Sequence, residues 1–175
     1  MVQSKGVAPK FLVVMGVAGC GKSTVAALLA QRLGWPFVEG DALHPQVNVE
    51  KMRHGISLDD ADRLPWLQAI ARTIEAWREA GQSGIVACSA LRAAYRRTIE
   101  GGGDDVWFVH LAGGHDLIAQ RLITRQGHFM PIGLLDSQFA TLEPPALPEK
   151  AITLDVAVGP EALADAALAA LRDVL

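Results

Sequence analysis

FLVVMGVAGCGKST, residues 11–24, decides the fold. Phe11 to Met15 is an apolar run that stops at a glycine, the pattern of a strand buried on both faces. Gly16, Gly21, Lys22 and Ser23 then satisfy the spacing G-x-x-x-x-G-K-[ST], and Val25, Leu28, Leu29 and Leu33 continue on one helical stripe to Gly34. Strand, glycine-rich turn and helix in that order make a cradle for phosphate. The glycines let backbone N–H groups curl around the oxygens, and the helix N-terminus adds favourable dipole charge. The nucleotide-side residues are therefore Gly16, Gly19, Cys20, Gly21, Lys22, Ser23 and Thr24. Lys22 is expected to bridge the β- and γ-phosphates, and the Ser23 hydroxyl to ligate Mg2+. The motif is silent about what receives the phosphate.

Beyond the cradle, apolar runs alternate with helical patterns. Short strands are expected at 35–38, 84–88, 106–111 and 151–156. Between them fall helices at 45–53, from the Asp59/Asp60/Asp62 cluster to Gly81, at 91–100 and at about 116–125, and Pro160 opens a closing helix. This alternation predicts an α/β fold, a single domain over 1–175 with a parallel sheet covered on both faces. Residues 127–145 carry little strand signal, so a lid is expected at about 121–148. His110, Trp35, Trp77 and Trp107 read as core residues, and Trp66 as a residue bordering a pocket.

Composition narrows the function classes. Half of the 175 residues are hydrophobic, a fifth are charged and the net charge is −3, which argues against a broad basic surface for nucleic acid. No apolar run approaches the roughly 18 residues a membrane span needs. Two cysteines are too few for a disulfide scaffold, so a reducing, cytoplasmic location is expected. Val17-Ala-Gly-Cys20 also fits a lipoprotein cleavage box behind Lys5 and Lys10. Cleavage there would delete the first strand and two of the three loop glycines, so the phosphate loop is the preferred reading. Cys20 stands at a helix N-terminus, where a thiolate is stabilised, and is expected to be the more reactive thiol. A guanine reader Asn-Lys-x-Asp is missing, since Asn48 is the sole asparagine, and this favours ATP over GTP.

Ligands of parallel sheets gather at the carboxyl ends of the strands. Those ends carry the phosphate loop, then Glu39-Gly-Asp41, then Cys88-Ser-Ala-Leu-Arg92. A carboxylate facing the phosphates can orient an acceptor hydroxyl and take its proton, the role expected of Asp41. The alternative for Asp41 is an N-cap or Asx turn. Glu39 is expected to hold Mg2+ through a water, because the third strand ends in Ala-Cys-Ser and lacks an aspartate on the metal side.

Further stretches carry a family resemblance: GDALHP at 40–45, Asn48, Lys51-Met52, Gly55, LDDADRLPWL at 58–67, CSALR at 88–92, GHFMP at 127–131 and DSQFATLEPP at 136–145. In this order, over about 130 of the 175 residues, the sequence resembles the gluconate kinases, small P-loop kinases related to shikimate and nucleoside monophosphate kinases. The resemblance implies a three-layer P-loop kinase fold with five parallel strands in the order 2-3-1-4-5. It implies phosphorylation of D-gluconate at its 6-hydroxyl by ATP with Mg2+, giving 6-phosphogluconate and ADP. A homodimer is compatible with it, although no surface patch in the sequence points to one.

A polyol acid needs hydroxyl readers and a cation. Asp41 and His44 suit the first task, and Arg53 and Arg92 suit the second, as bidentate partners of the carboxylate. Exposed or helix-start arginines are the alternative. Asp62 reads as a helix cap with an ion pair, while Arg63 faces either pocket or solvent. Arg121 and Arg125 share a helix face, and related kinases close a lid arginine over the triphosphate, so these two are assigned there and His128 to the substrate. Another acceptor (shikimate, a different sugar acid, a nucleotide) and a non-enzymatic ATP-dependent switch are the alternatives.

Overall fold

The computed structural model describes residues 8–124 and 132–175. Five strands form one parallel sheet: β1 (Phe11–Met15), β2 (Phe37–Glu39), β3 (Gly84–Ala87), β4 (Val106–Ala112) and β5 (Ala151–Asp155), in the order β2-β3-β1-β4-β5. This is the order implied by the resemblance. Phe11 pairs with Gly84 on one side and with Val106 on the other, so β1 is the central strand. All five of its side chains are fully buried. At about 1.5–3 kcal/mol for each large apolar side chain, this strand outweighs any surface ion pair, worth about 0–1 kcal/mol.

Seven helices are assigned among the described residues: α1 (Lys22–Leu33), α2 (Gln46–Arg53), α3 (Asp60–Glu79), α4 (Ala93–Glu100), α5 (His115–Thr124), α6 (Ile132–Thr141) and α7 (Pro160–Ala170). Alternation along the strands sorts the core into two halves. Leu12, Val14, Val109 and Leu111 meet Val25 and Leu29 of α1 and Leu163 of α7. Phe11, Val13, Met15 and Phe108 meet Trp66, Ile70 and Ile74 of α3 and Ile99 of α4. His110 lies in that second half, 3% exposed, and burial holds its imidazole below its ordinary pKa. Its Nδ1 is 3.4 Å from the Thr153 hydroxyl, while Nε2 has no partner among the described residues, so it is a core residue but not a fully satisfied one.

Asp59 caps α3 by accepting the Asp62 N–H at 2.7 Å, and the Asp62 carboxylate returns to the Asp59 N–H at 3.2 Å. Lys51 pairs with the same carboxylate at 2.7 Å. Asp62 is thus the cap and ion-pair residue its sequence context predicts.

The stretch expected to form a lid contains α6. Leu135, 1% exposed, and Phe139 pack into the α1 side of the core, and Leu142 beyond the helix touches both halves. Spacings of four and three residues bury one face of a short helix, a pattern hidden in the sequence by the proline-rich flank. No helix among the described residues is long and apolar enough to cross a membrane.

Candidate active site

The turn between β1 and α1 is built on backbone that side chains resist. Gly16, Gly19 and Gly21 have φ of 142°, 80° and 100°. A Cβ on Gly16 would stand 2.7 Å from the Leu111 carbonyl oxygen, and one on Gly19 would strike the Leu122 side chain. Only glycine permits this curl, and the loop opens directly into the N-terminus of α1 at Lys22. Lys22 Nζ donates to the Val17 carbonyl at 3.0 Å, which arches the lysine over its own loop. Ser23 and Thr24 are exposed in the first turn of α1. These features fit a triphosphate.

Cys20 contradicts the expectation of a reactive thiol. Its side chain is 1% exposed, and burial raises its pKa more than Lys22 and Arg121 lower it. Its backbone lines the loop, while its sulfur belongs to the core.

Glu39 ends β2 beside Ala87 of β3, and the next residue, Gly40, is packed so closely that a Cβ would lie 2.5 Å from the Ala87 carbonyl oxygen. A 3-10 turn, Gly40–Leu43, then carries Asp41 into solvent. Asp41 is not the N-cap of α2, a position held by Pro45. Burial pushes the Cys88 thiol up to about 12, Asp41 adds to the shift, Lys22 opposes it and Glu39 adds a smaller share. Asp41 and Glu39 thus follow β2 and Lys22 follows β1, on either side of the end of β3. There the Ser89 carbonyl also accepts the Gly16 N–H, at 3.3 Å.

His44 stacks on Trp66 with ring centroids 4.2 Å apart, and the Trp66 indole N–H donates to the Gly40 carbonyl at 2.8 Å. Buried Asn48 donates to the Asp62 carbonyl at 2.7 Å and lies 3.3 Å from His44 Nδ1. An amide NH2 only donates, so Nδ1 is the acceptor and the neutral ring carries its proton on Nε2. Burial lowers the His44 pKa, with Asp41 opposing and Arg63 adding to the shift. In the sequence Asn48 served as a family marker and in the guanine-reader argument, with no structural role. Its place one helical turn after His44 was the available signal.

A cavity of about 510 Å3 opens at the N-terminal end of α3, lined by Asp60, Arg63, Arg92, Ser57, Ser137 and Thr141. Arg92 is the N-cap residue of α4 and pairs with Asp60 at 2.9 Å. Arg63 donates to the Tyr95 hydroxyl at 3.1 Å, and that hydroxyl also bonds Asp60. Both guanidiniums lie over the Tyr95 ring, at 5.6 and 5.8 Å from its centroid. Two cations thus share one aromatic seat on the cavity wall. Tyr95 was absent from the sequence reading, which assigned no role to the helix after CSALR.

Arg53 does not line this cavity. It ends α2 with a side chain 68% exposed, 3.8 Å from Glu50. Arg121 donates to the Val156 carbonyl at 2.6 Å, and the next residue, Leu122, packs against Gly19 of the phosphate loop. Arg125 and His128 lie outside the described residues.

A family model described as an AAA domain matches residues 11–145. The chain is 51% identical over 147 residues to a gluconokinase of Gluconobacter oxydans (strain 621H), covering 84% of this chain and 83% of the relative. Among solved structures it is similar to a gluconokinase from Sinorhizobium meliloti 1021, with TM-score 0.87, 41% identity and coverage of 95% and 94%. It is likewise similar to a sugar kinase from Janibacter sp. HTCC2649, with TM-score 0.90, 43% identity and coverage of 95% and 96%.

Proposed function

The chain belongs to the gluconokinase family of P-loop kinases, and we propose that it transfers the γ-phosphoryl group of ATP to the 6-hydroxyl of D-gluconate, giving 6-phosphogluconate and ADP. Kinship supports the acceptor. The observation that carries the mechanism is the topology that sets the loop and Lys22 after β1 and the Glu39–Asp41 turn after β2 on either side of β3, at the same carboxyl edge of the sheet. Asp41 orients the acceptor hydroxyl and takes its proton as phosphorus is attacked in line. Lys22 and the loop amides neutralise charge on the phosphates, and Arg121, next to the Leu122 that packs on Gly19, shares that task. The family resemblance assigns Arg125 to the same task and His128 to the substrate.

Ser23 and Glu39 would hold Mg2+, Glu39 through a water. One hydroxyl and one carboxylate suit an ion that keeps most of its water and binds substrate phosphates. When bound, Mg2+ supplies charge neutralisation on the phosphate oxygens.

On the acceptor side, His44 offers Nε2–H to a hydroxyl, and Arg63 and Arg92 face the carboxylate end. Coupled ADP release with gluconate, shikimate, nucleoside monophosphates and other sugar acids decides the acceptor. Strong stimulation by gluconate alone is the expected outcome. ATP binding without stimulation by any acceptor would replace the enzyme with a switch.

Arg92→Ala is expected to raise KM for gluconate about tenfold or more, the scale of one charge-assisted hydrogen bond, with KM for ATP nearly unchanged. Arg53→Ala should raise the gluconate KM by less, yet still more than the ATP KM. Steady-state kinetics in both substrates check this ranking, and a larger effect of Arg53→Ala on ATP would move that residue to the nucleotide side.

A further inference from the structure

α6 touches both halves of the site. On one face, Ser137 and Thr141, one turn apart, line the cavity with Arg63 and Arg92. The adjacent residue, Gln138, reaches the phosphate loop, where its side-chain carbonyl Oε1 accepts the Ala18 N–H at 2.7 Å across 120 residues of sequence. Ala18 follows Val17, whose carbonyl anchors Lys22 Nζ. The bond therefore falls beside the lysine that meets the nucleotide.

The helix is firmly seated. Leu135 is buried, Phe139 packs on the core and against the His115 ring at 5.3 Å, and His115 Nε2 meets Asp136 at 2.6 Å. A seated helix that meets both the cavity and the phosphate loop transmits a displacement at one contact to the other, because packed side chains have few alternative arrangements.

We propose that Gln138 is a positioning residue that fixes the phosphate loop at Ala18 and, through α6, couples acceptor binding in the cavity to nucleotide binding. The proposal rests on the cavity being the gluconate site. Coupling between two ligands is reciprocal, so each tightens the other by one factor. A single hydrogen bond sets the size of that factor at about fivefold.

Titration calorimetry of the full chain with a non-hydrolysable ATP analogue, with and without saturating gluconate, reads the factor as a ratio of Kd values. The parent is expected to bind the analogue about fivefold tighter in the presence of gluconate. Gln138→Met removes the acceptor oxygen at similar volume and should bring the ratio to about one, with gluconate Kd alone within about twofold of the parent. Gln138→Glu keeps an oxygen for the Ala18 N–H and should retain the ratio, although its charge weakens nucleotide binding throughout. A merely structural role would shift all Kd values together and leave the ratio intact. An unchanged ratio in Gln138→Met, or a parent ratio of one while gluconate binds, overturns the role of Gln138 alone. A parent that binds no gluconate overturns both this role and the acceptor assignment.

Discussion

Replacing Asp41 with asparagine is expected to lower kcat by about two to four powers of ten, the span associated with losing a general base. The substitution is nearly isosteric, and Asp41 is exposed on the Gly40–Leu43 turn. The turn itself is held from elsewhere, by the Trp66 indole on the Gly40 carbonyl and by the close packing of Gly40 against Ala87 and Cys88. Fold stability should therefore be almost unaffected, and the loss should appear in kcat rather than in the ATP KM. An amide can still orient a hydroxyl but cannot accept its proton, so the variant separates deprotonation from positioning. Single-turnover kinetics with Mg·ATP and gluconate give the rate of the chemical step. Turnover within about threefold of the parent would leave Asp41 with a structural role only.

The features legible in the sequence are those that local chemistry dictates. Phe11–Met15 is apolar at every position because both faces of the central strand are covered, and the glycines that follow are required by the close approach of Leu111 to Gly16 and Leu122 to Gly19 and by a φ of 100° at Gly21. The Asp59/Asp62 capping box marks the start of α3 before any tertiary contact is known. Strand ends combined with charge single out Glu39 and Asp41 as candidates. What escaped is non-local. α6 announces itself only through Leu135 and Phe139, and its role depends on Gln138 meeting Ala18, a contact no sequence period encodes. Tyr95 looks like an ordinary core aromatic until Arg63, Arg92 and Asp60 are seen around it. Cys20 misled because a helix N-terminus favours a thiolate only where the sulfur meets solvent, and here burial dominates.

Arg96→Met should cost about 3 kcal/mol of stability, lowering Tm by about 6–12 °C for a chain of this size. Arg96 is 1% exposed yet charged. Its guanidinium grips both oxygens of Glu149, with Nη2 to Oε1 at 3.0 Å, and Nη1 donates to the Ala90 carbonyl at 2.9 Å. Ala90 has φ of 44°, left-handed backbone that a non-glycine residue holds only under constraint. Methionine fills the volume but leaves the Ala90 carbonyl and Glu149 without their partner, so the loss exceeds that of a surface pair. Arg96 holds the Glu149 carboxyl below its ordinary range. The pair therefore contributes fully above that range, and its contribution disappears as pH falls through the lowered value. The Tm gap between parent and variant should accordingly narrow in acid. The loop at stake carries Ser89, which accepts the Gly16 N–H, and Arg92 on the cavity wall. A destabilised Ala90 should thus raise KM for gluconate as well. Calorimetric melting of both proteins from neutral to acidic pH measures the gap, and a difference under about 2 °C at neutral pH would mean that packing, rather than the ion pair, holds this loop.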